Sequence, residues 1–354
     1  MSVRAVSPEP PSPDSANRAD RSAARLMRSI VTVGVLPILL VVLAVVFGTI
    51  EPRFLNPANL MNILRQSTFL MIVAMGQMLA LISSGFDLSV GAIVALTSVV
   101  TALVMVYVQS AGGPDSATLA VLAGCGAGLA VSLAFGILNG LGVAVLNVSP
   151  FIVTLGTSSA ITGVALLLTG GAPVVGLPPL FVDLLGNSRI AGIPTVVYLT
   201  AIVIAVFYYL MNWSYFGRYV YAIGGNEVAA RLSGIRVKWY LTGVYVVSAL
   251  LASLAGILLT ARVSAGEPNL GGPFAMQSIT AAVLGGTSLR GGEGKLGGVI
   301  LGALFIAMLA NGMNLIRVSS FWQMILLGCL LVFAVVIDRL RSRLMATAVK
   351  GGLN

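Results

Sequence analysis

The sequence predicts an all-α polytopic membrane protein of about ten transmembrane helices, and three observations carry that prediction. Hydrophobic residues make up 58% of the 354 residues against 9% charged, with a mean hydropathy of +1.01, well above the apolar share of a domain folded in water. The apolar residues come in runs long enough to cross a hydrocarbon core of about 30 Å. The basic residues lie almost wholly in the two tails and between spans, where orientation in a membrane demands them. The formal net charge of +9 is therefore a topology signal, and nucleic-acid binding is not expected.

Residues 1–29, rich in Pro, Ser, Ala and Arg, cannot bury a core and form an expected disordered, basic cytoplasmic tail. Arg18, Arg21, Arg25 and Arg28 precede a first span from Ile30 to about Phe47. That span lacks the short basic start and small-residue cleavage site of a signal peptide, so it reads as an uncleaved anchor with its N-terminus in the cytoplasm. Further spans are expected at about 58–82, 88–109, 117–146, 151–169, 194–211, 240–261, 276–289, 297–315 and 320–337. They complete a transmembrane domain over 30–338, followed by a cytoplasmic C-terminal tail at 339–354. Ten crossings place Arg339, Arg341, Arg343 and Lys350 on the same side as the N-terminal arginines. They also place Arg218, Arg231, Arg236 and Lys238 of the 212–239 loop there, so three basic clusters agree on one topology.

The chain contains an internal echo. The segment from Leu133 through Asn139-Gly140 to Val148-Ser149-Pro150-Phe151 resembles that from Leu304 through Asn311-Gly312 to Val318-Ser319-Ser320-Phe321. The first copy closes the fourth span and the second the ninth, which run in opposite directions in this topology, as in an inverted repeat. The 41 glycines fit such a bundle, because small residues let helix backbones approach closely in lipid. The run Leu122 to Gly128, with Gly124, Gly126 and Gly128, is the densest example within a span.

Little chemistry is available to this chain. It has no histidine, which removes imidazole metal sites, proton relays and histidine-assisted nucleophiles. Cys125 and Cys329 each sit in an apolar run with no ligand-spaced partner and read as small hydrophobes. No metal or cofactor is expected. The run Gly285 to Leu296 is glycine-rich and basic, but it departs from a phosphate-binding loop. Leu289 stands five residues before Gly294, and Leu296 follows Lys295 where Ser or Thr is needed. It reads as a flexible cytosolic re-entry with its charges in water.

Two polar breaks remain. Asp87 is the only acidic residue from about 66 to 114, and a carboxylate there needs a partner, a helix N-terminus or water. The side-chain oxygen of Asp87 or Ser89 is suited to accept from backbone N–H groups at the start of the third span. A cap in a tight turn, a gate or pore-lining role and an ion-coupling role all stay open. The second break is the 212–239 loop, of net charge +3 from Arg218, Arg231, Arg236 and Lys238 against Glu227. Within it, Asn226 is an N-cap candidate, Glu227 to Leu232 are mostly helix formers and Gly234 is a stop, which predicts a helix of about two turns along the membrane face. It could rest on lipid headgroups. However, the small Ala229 and Ala230 offer little apolar area to lipid and favour docking into a protein groove.

Several of these motifs together resemble the permease subunits of bacterial ATP-binding-cassette importers of the ribose/xylose/arabinose type. They are Gly85-Phe86-Asp87-Leu88-Ser89-Val90-Gly91, Asn139-Gly140 with Pro150 to Thr157, Ala222 to Ile235, and Gly285 to Gly292. Phe86 stands where such permeases usually have isoleucine, and the N-terminal tail is outside the resemblance. The resemblance implies a homodimer in membrane lipid, a cytosolic ATP-binding-cassette ATPase and a periplasmic sugar-binding protein, with no catalysis by the permease. It implies that Asn226, Glu227, Ala229, Ala230, Arg231, Leu232, Ser233, Gly234 and Ile235 form the ATPase-coupling helix. Asp87, Ser89 and Gly91 at the first polar break, with Asn139 and Asn311 of the repeated Asn-Gly, are candidates for the translocation pathway or gate. The implied cargo is a monosaccharide, a ribose-like pentose first, with another sugar, a sugar-like signalling molecule or a nucleoside as alternatives. An ion-coupled secondary transporter is the competing class, disfavoured by the scarcity of ionisable groups within the spans.

Overall fold

The computed structural model describes residues 35–351, and each of the ten expected spans falls on a helix there. The expected disordered tail and the first residues of the first span lie outside the described residues. Helix α1 is Val35–Ile50, α2 is Pro57–Ile82, α3 is Val90–Gly112, α4 is Ala117–Ala144 and α5 is Pro150–Thr169. A connection with a two-residue ribbon, β1 (Arg189–Ile190) against β2 (Ile193–Pro194), leads to α6 (Thr195–Asn212). The loop that follows holds α7 (Tyr215–Gly225) and α8 (Glu227–Leu232). Then come α9 (Val237–Val263), α10 (Phe274–Leu284), α11 (Leu296–Leu315) and α12 (Ser320–Gly351).

The helix ends follow local chemistry. Pro57 and Pro150 begin α2 and α5, where a missing N–H costs nothing, and the Asn56 side chain accepts from Ala58 N. Seven of these helices are long and apolar enough to cross a membrane, and α2 at 26 residues reaches about 39 Å. Helix α10 is the shortest of the ten that fall on expected spans. Its 11 residues cover about 16 Å, half a hydrocarbon core, and the expected 276–289 span is corrected accordingly. Gly285 follows its last turn and Gly286 takes a left-handed φ of 86°, a geometry that ends helices. Helix α12 runs on past 337, so the expected tail begins as helix.

Helices α2, α3 and α9 are buried along most of their length, whereas α4, α5 and α6 turn most of their side chains outward. The most buried long helix, α2, is also the least apolar of them, since a helix surrounded by protein can carry Ser67, Thr68 and Gln77 that lipid would penalise. Helix α4 shows how the outer helices attach. Gly124, Gly128, Ser132, Gly136 and Gly140 are among its few buried residues, and they recur every four positions as one stripe. The first two glycines lie against Thr101, Met105 and Thr97 of α3, and the last two against Val246 and Thr242 of α9.

The pairwise packing of α2, α3, α4 and α5 maps onto that of α9, α10, α11 and α12. Helix α9 packs on α4 as α2 does on α11, α3 on α4 as α10 on α11, α3 on α5 as α10 on α12, and α9 on α3 as α2 on α10. The sequence echo has a backbone counterpart too: Asn147 (φ 54°) and Arg317 (φ 58°) are matching left-handed residues just beyond α4 and α11. The C-terminal ends of those two helices point to opposite ends of α2. Gly140 of α4 touches Thr242, just after the 212–239 loop, whereas Asn311 of α11 pairs with Asn59 at the start of α2.

Candidate functional site

The polar segments singled out in the sequence meet at the end of the bundle that carries the 212–239 loop. Helix α2 ends at Ile82, and Ser84 turns the chain back through a left-handed φ of 63°. Asp87 follows, fully buried. Its Oδ1 accepts from Ser89 N at 3.0 Å and Ser89 Oγ at 2.6 Å, and its Oδ2 accepts from Ser248 Oγ of α9 at 2.8 Å. Asn139 Nδ2 of α4 donates to Ser89 Oγ at 2.8 Å, and Thr157 Oγ1 of α5 donates to Asn139 Oδ1 at 2.7 Å. The Asp87 carboxyl group thus sits in a network that ties the α2–α3 link to three other helices. Of the two capping candidates, Asp87 accepts from the backbone, while Ser89 makes no side-chain cap bond.

The structure brings Asp87, Ser89 and Asn139 together but puts Asn311 elsewhere. Asn311 and Asn59 exchange amide hydrogen bonds of 2.9 and 3.1 Å at the far end of α2, about 30 Å or more along the helix. Gly91, at the start of α3, touches the backbone of Gly271, and a Cβ on either would overlap the other's carbonyl oxygen.

The glycine-rich link 285–295 is pinned rather than flexible. Gly292 N donates to Ile82 O at 2.8 Å, Ser84 Oγ donates to Arg290 O at 3.0 Å and to Gly224 O at 3.2 Å, and Tyr221 Oη donates to Gly294 O at 2.7 Å. Burial pushes the Tyr221 phenol above its usual pKa, which keeps it a protonated donor. Arg290, Glu293 and Lys295 stay exposed, as expected. Gly224 is the tightest point: a Cβ there would overlap the Ile82 carbonyl oxygen and crowd Gly292 N. The last turn of α7 therefore rests directly on the backbones of the two polar links.

Helix α8 leaves that turn at once. Asn226 caps it by accepting from Ala229 N at 3.0 Å, Gly234 stops it at φ 82°, and Ile235 N returns to Ala230 O. An exposed Glu227–Arg231 pair at 2.7 Å spans it. The expected docking role of Ala230 meets a correction of direction. Ala230 is 5% exposed and packs with Ile223 and Val237 against the chain itself. The face turned outward carries Val228 at 68% and Leu232 at 84% exposure, four residues apart and so on one side of the helix.

Residues 59–335 match the family model described as branched-chain amino acid transport system / permease component. The chain belongs to this permease family. It is 41% identical over 304 residues to the ribose import permease protein of Escherichia coli (strain K12), covering 85% of this chain and 92% of that one. It is 38% identical to the ribose import permease protein of Bacillus subtilis (strain 168), covering 86% and 91%. To the D-allose transport system permease protein of Escherichia coli (strain K12) it is 37% identical, covering 86% and 91%. No solved structure matches the chain. The resemblance read from the motifs therefore holds, and the permease is a multi-pass membrane protein with relatives named for sugar transport.

Among its residues at the junction, Gly224, Thr157 and Val228 lay within the quoted motifs without a role of their own, Ser84 and Tyr221 bordered them, and Ser248 was not singled out in the sequence. The Gly224-Gly225 pair was a visible signal, since adjacent glycines before a cap suggest close backbone approach. Ser248 had none, being one serine among many in an apolar helix.

Proposed function

We propose that this permease is the transmembrane subunit of an inner-membrane ATP-binding-cassette importer and forms the path for a monosaccharide, a ribose-like pentose first. A periplasmic binding protein delivers the sugar, a cytosolic ATPase supplies the energy, and two copies of the permease surround the path. The permease itself does no chemistry. Its relatives include both ribose and allose permeases, so the sugar class rests on them.

The observation that carries the mechanism is the seating of Gly224, in the last turn before α8, on the backbones of Ile82 and Gly292. Val228 and Leu232 form an apolar pair suited to a cleft on the ATPase. When ATP closes the ATPases and moves α8, Gly224 passes the motion to Ile82 and Gly292 by backbone contact, without a rotatable side chain to absorb it. The Asp87 network lies one turn of chain beyond Ile82 and couples that motion to α4, α5 and α9. Asp87, Ser89 and Asn139 then act at the inner gate, and Asn311 with Asn59 at the opposite end.

The test is Leu232→Asp, alone and with Val228→Asp, in the complex reconstituted in vesicles. The expected result is at least a tenfold loss of ATP-driven ribose uptake and of ATPase stimulation by the loaded binding protein. The permease should keep its parental melting temperature, because both side chains are exposed. Parental uptake in the double variant would overturn the docking assignment. Ala230→Glu is unsuitable, since it buries a charge in the permease's own core.

A further inference from the structure

The link between α2 and α3 and the link between α9 and α10 share a pattern at a constant separation of 180 residues. Ser84 and Ser264 both take left-handed backbone, with φ of 63° and 59°. Asp87 and Glu267 are both acidic, and each accepts from the backbone N two residues on: Ser89 N at 3.0 Å and Asn269 N at 3.4 Å. Gly91 and Gly271 then touch each other, backbone to backbone. The helices before the two links also keep this register, from Pro57 and Val237 at their starts to Gly76 and Gly256 within them. Eight residues fewer separate Gly271 from Asn311 than Gly91 from Asn139, and the half-length α10 lies in that interval.

These equivalent links are held differently. Asp87 is fully buried and takes the Ser248 hydroxyl of α9. In the register, the counterpart of Ser248 is Thr68 of α2, which is buried and donates to its own helix, to Arg65 O at 2.7 Å. Glu267 is half-buried, and among the described residues its carboxylate receives no side-chain donor. Its link leans instead on α3, where Glu267 N donates to Ser98 Oγ at 3.1 Å.

We infer that Glu267 is the second-repeat counterpart of Asp87 and that the two exchange roles in the transport cycle: in the opposite-facing conformation Glu267 accepts the Thr68 hydroxyl, and Asp87 releases Ser248. Two halves of an inverted repeat in different conformations can reach the opposite-facing state by trading them. Burying one carboxylate with a donor while freeing the other keeps the desolvation terms of the two states close. The inference rests on the importer reading.

The test uses the full complex, with Cys125→Ala and Cys329→Ala in the permease, and two double variants: Thr68→Cys with Glu267→Cys, and Ser248→Cys with Asp87→Cys. Each is treated with a short bifunctional thiol reagent without nucleotide and with a non-hydrolysable ATP analogue. The expected result is reciprocal, each pair cross-linking in a different one of the two states. A Ser248–Asp87 link that responds to nucleotide beside a Thr68–Glu267 pair that never links, or links in the same state, would overturn the inference and leave the importer reading standing. No nucleotide response in either pair, with parental behaviour of Leu232→Asp, would overturn both. As a check free of cysteines, Glu267→Gln keeps an acceptor and is expected to retain at least a third of uptake, whereas Glu267→Leu is expected to lose about tenfold. Equal uptake in the two would also overturn it.

Discussion

The two ends of the bundle are closed by different means. Beneath the 212–239 loop, three segments meet through backbone: Gly224 on the Ile82 carbonyl, and Gly292 N bonded to that same oxygen. At the far end, side chains supply two of the ties: the Asn59–Asn311 amide pair and the Arg65 guanidinium on Gly186 O. Main chain also meets main chain there, in the bridge between Val174 and Gly266 and where Gly186 lies on the Ala261 carbonyl. Backbone contacts lose little to rotamer freedom and transmit displacement stiffly, whereas long polar side chains can part and re-form. A stiff junction suits the end that receives force from a partner, and a releasable one suits the end that must open.

Variants at each end break or sharpen this contrast. The largest effect is expected from Gly224→Ala, whose added methyl has no room beside the Ile82 carbonyl. It should cost about 3 kcal/mol or more, read as a drop in melting temperature in detergent and loss of uptake. Gly126→Ala is the control. Gly126 is exposed on α4 with nothing within 4 Å of its would-be Cβ, so its replacement should not destabilise, and helix propensity favours it by about 0.5–1 kcal/mol. Equal melting temperatures for the two variants would remove the stiff-junction argument.

At the far end Asn311→Leu should cost about 1–3 kcal/mol by leaving the Asn59 amide short of partners, and adding Asn59→Leu should recover part of that loss. Additive losses in a double-mutant cycle would show that the reciprocal pair does not hold the far end. Among the variants that remove or crowd a contact, the smallest effect belongs to Tyr221→Phe, which removes one hydrogen bond to Gly294 O and should cost about 1 kcal/mol. It should also lower the ratio of stimulated to basal ATPase activity while leaving the basal rate unchanged. An unchanged ratio would place Tyr221 outside the coupling path.

Much of this molecule was legible residue by residue. The ten helices, the Asn226 cap and the Gly234 stop all follow from local rules, since caps and apolar runs act within a few residues of themselves. The 274–284 helix was overestimated because the expected span was carried on to Leu289, although Gly285-Gly286-Thr287-Ser288 interrupt the apolar run and end the helix. The direction of Ala230 was misjudged because smallness suits either face of a short helix. Only packing against Ile223 and Val237 decides which. At the candidate site, Asp87 stood out as a charge in an apolar stretch. Its donors did not, because Ser248 lies 161 positions away in a helix of similar residues.

By itself, then, the sequence determined that this chain crosses a membrane as helices, because lipid offers no hydrogen bonds and every span must satisfy its own backbone. It also marked several of the helix starts and stops, through caps, prolines and glycines, and the family the chain resembles. The tertiary structure alone decided which glycine meets which carbonyl, which hydroxyl reaches Asp87, and which face of α8 is free. Those outcomes depend on segments far apart in the chain brought within van der Waals distance, and no local pattern encodes the partner of a residue that has no side chain.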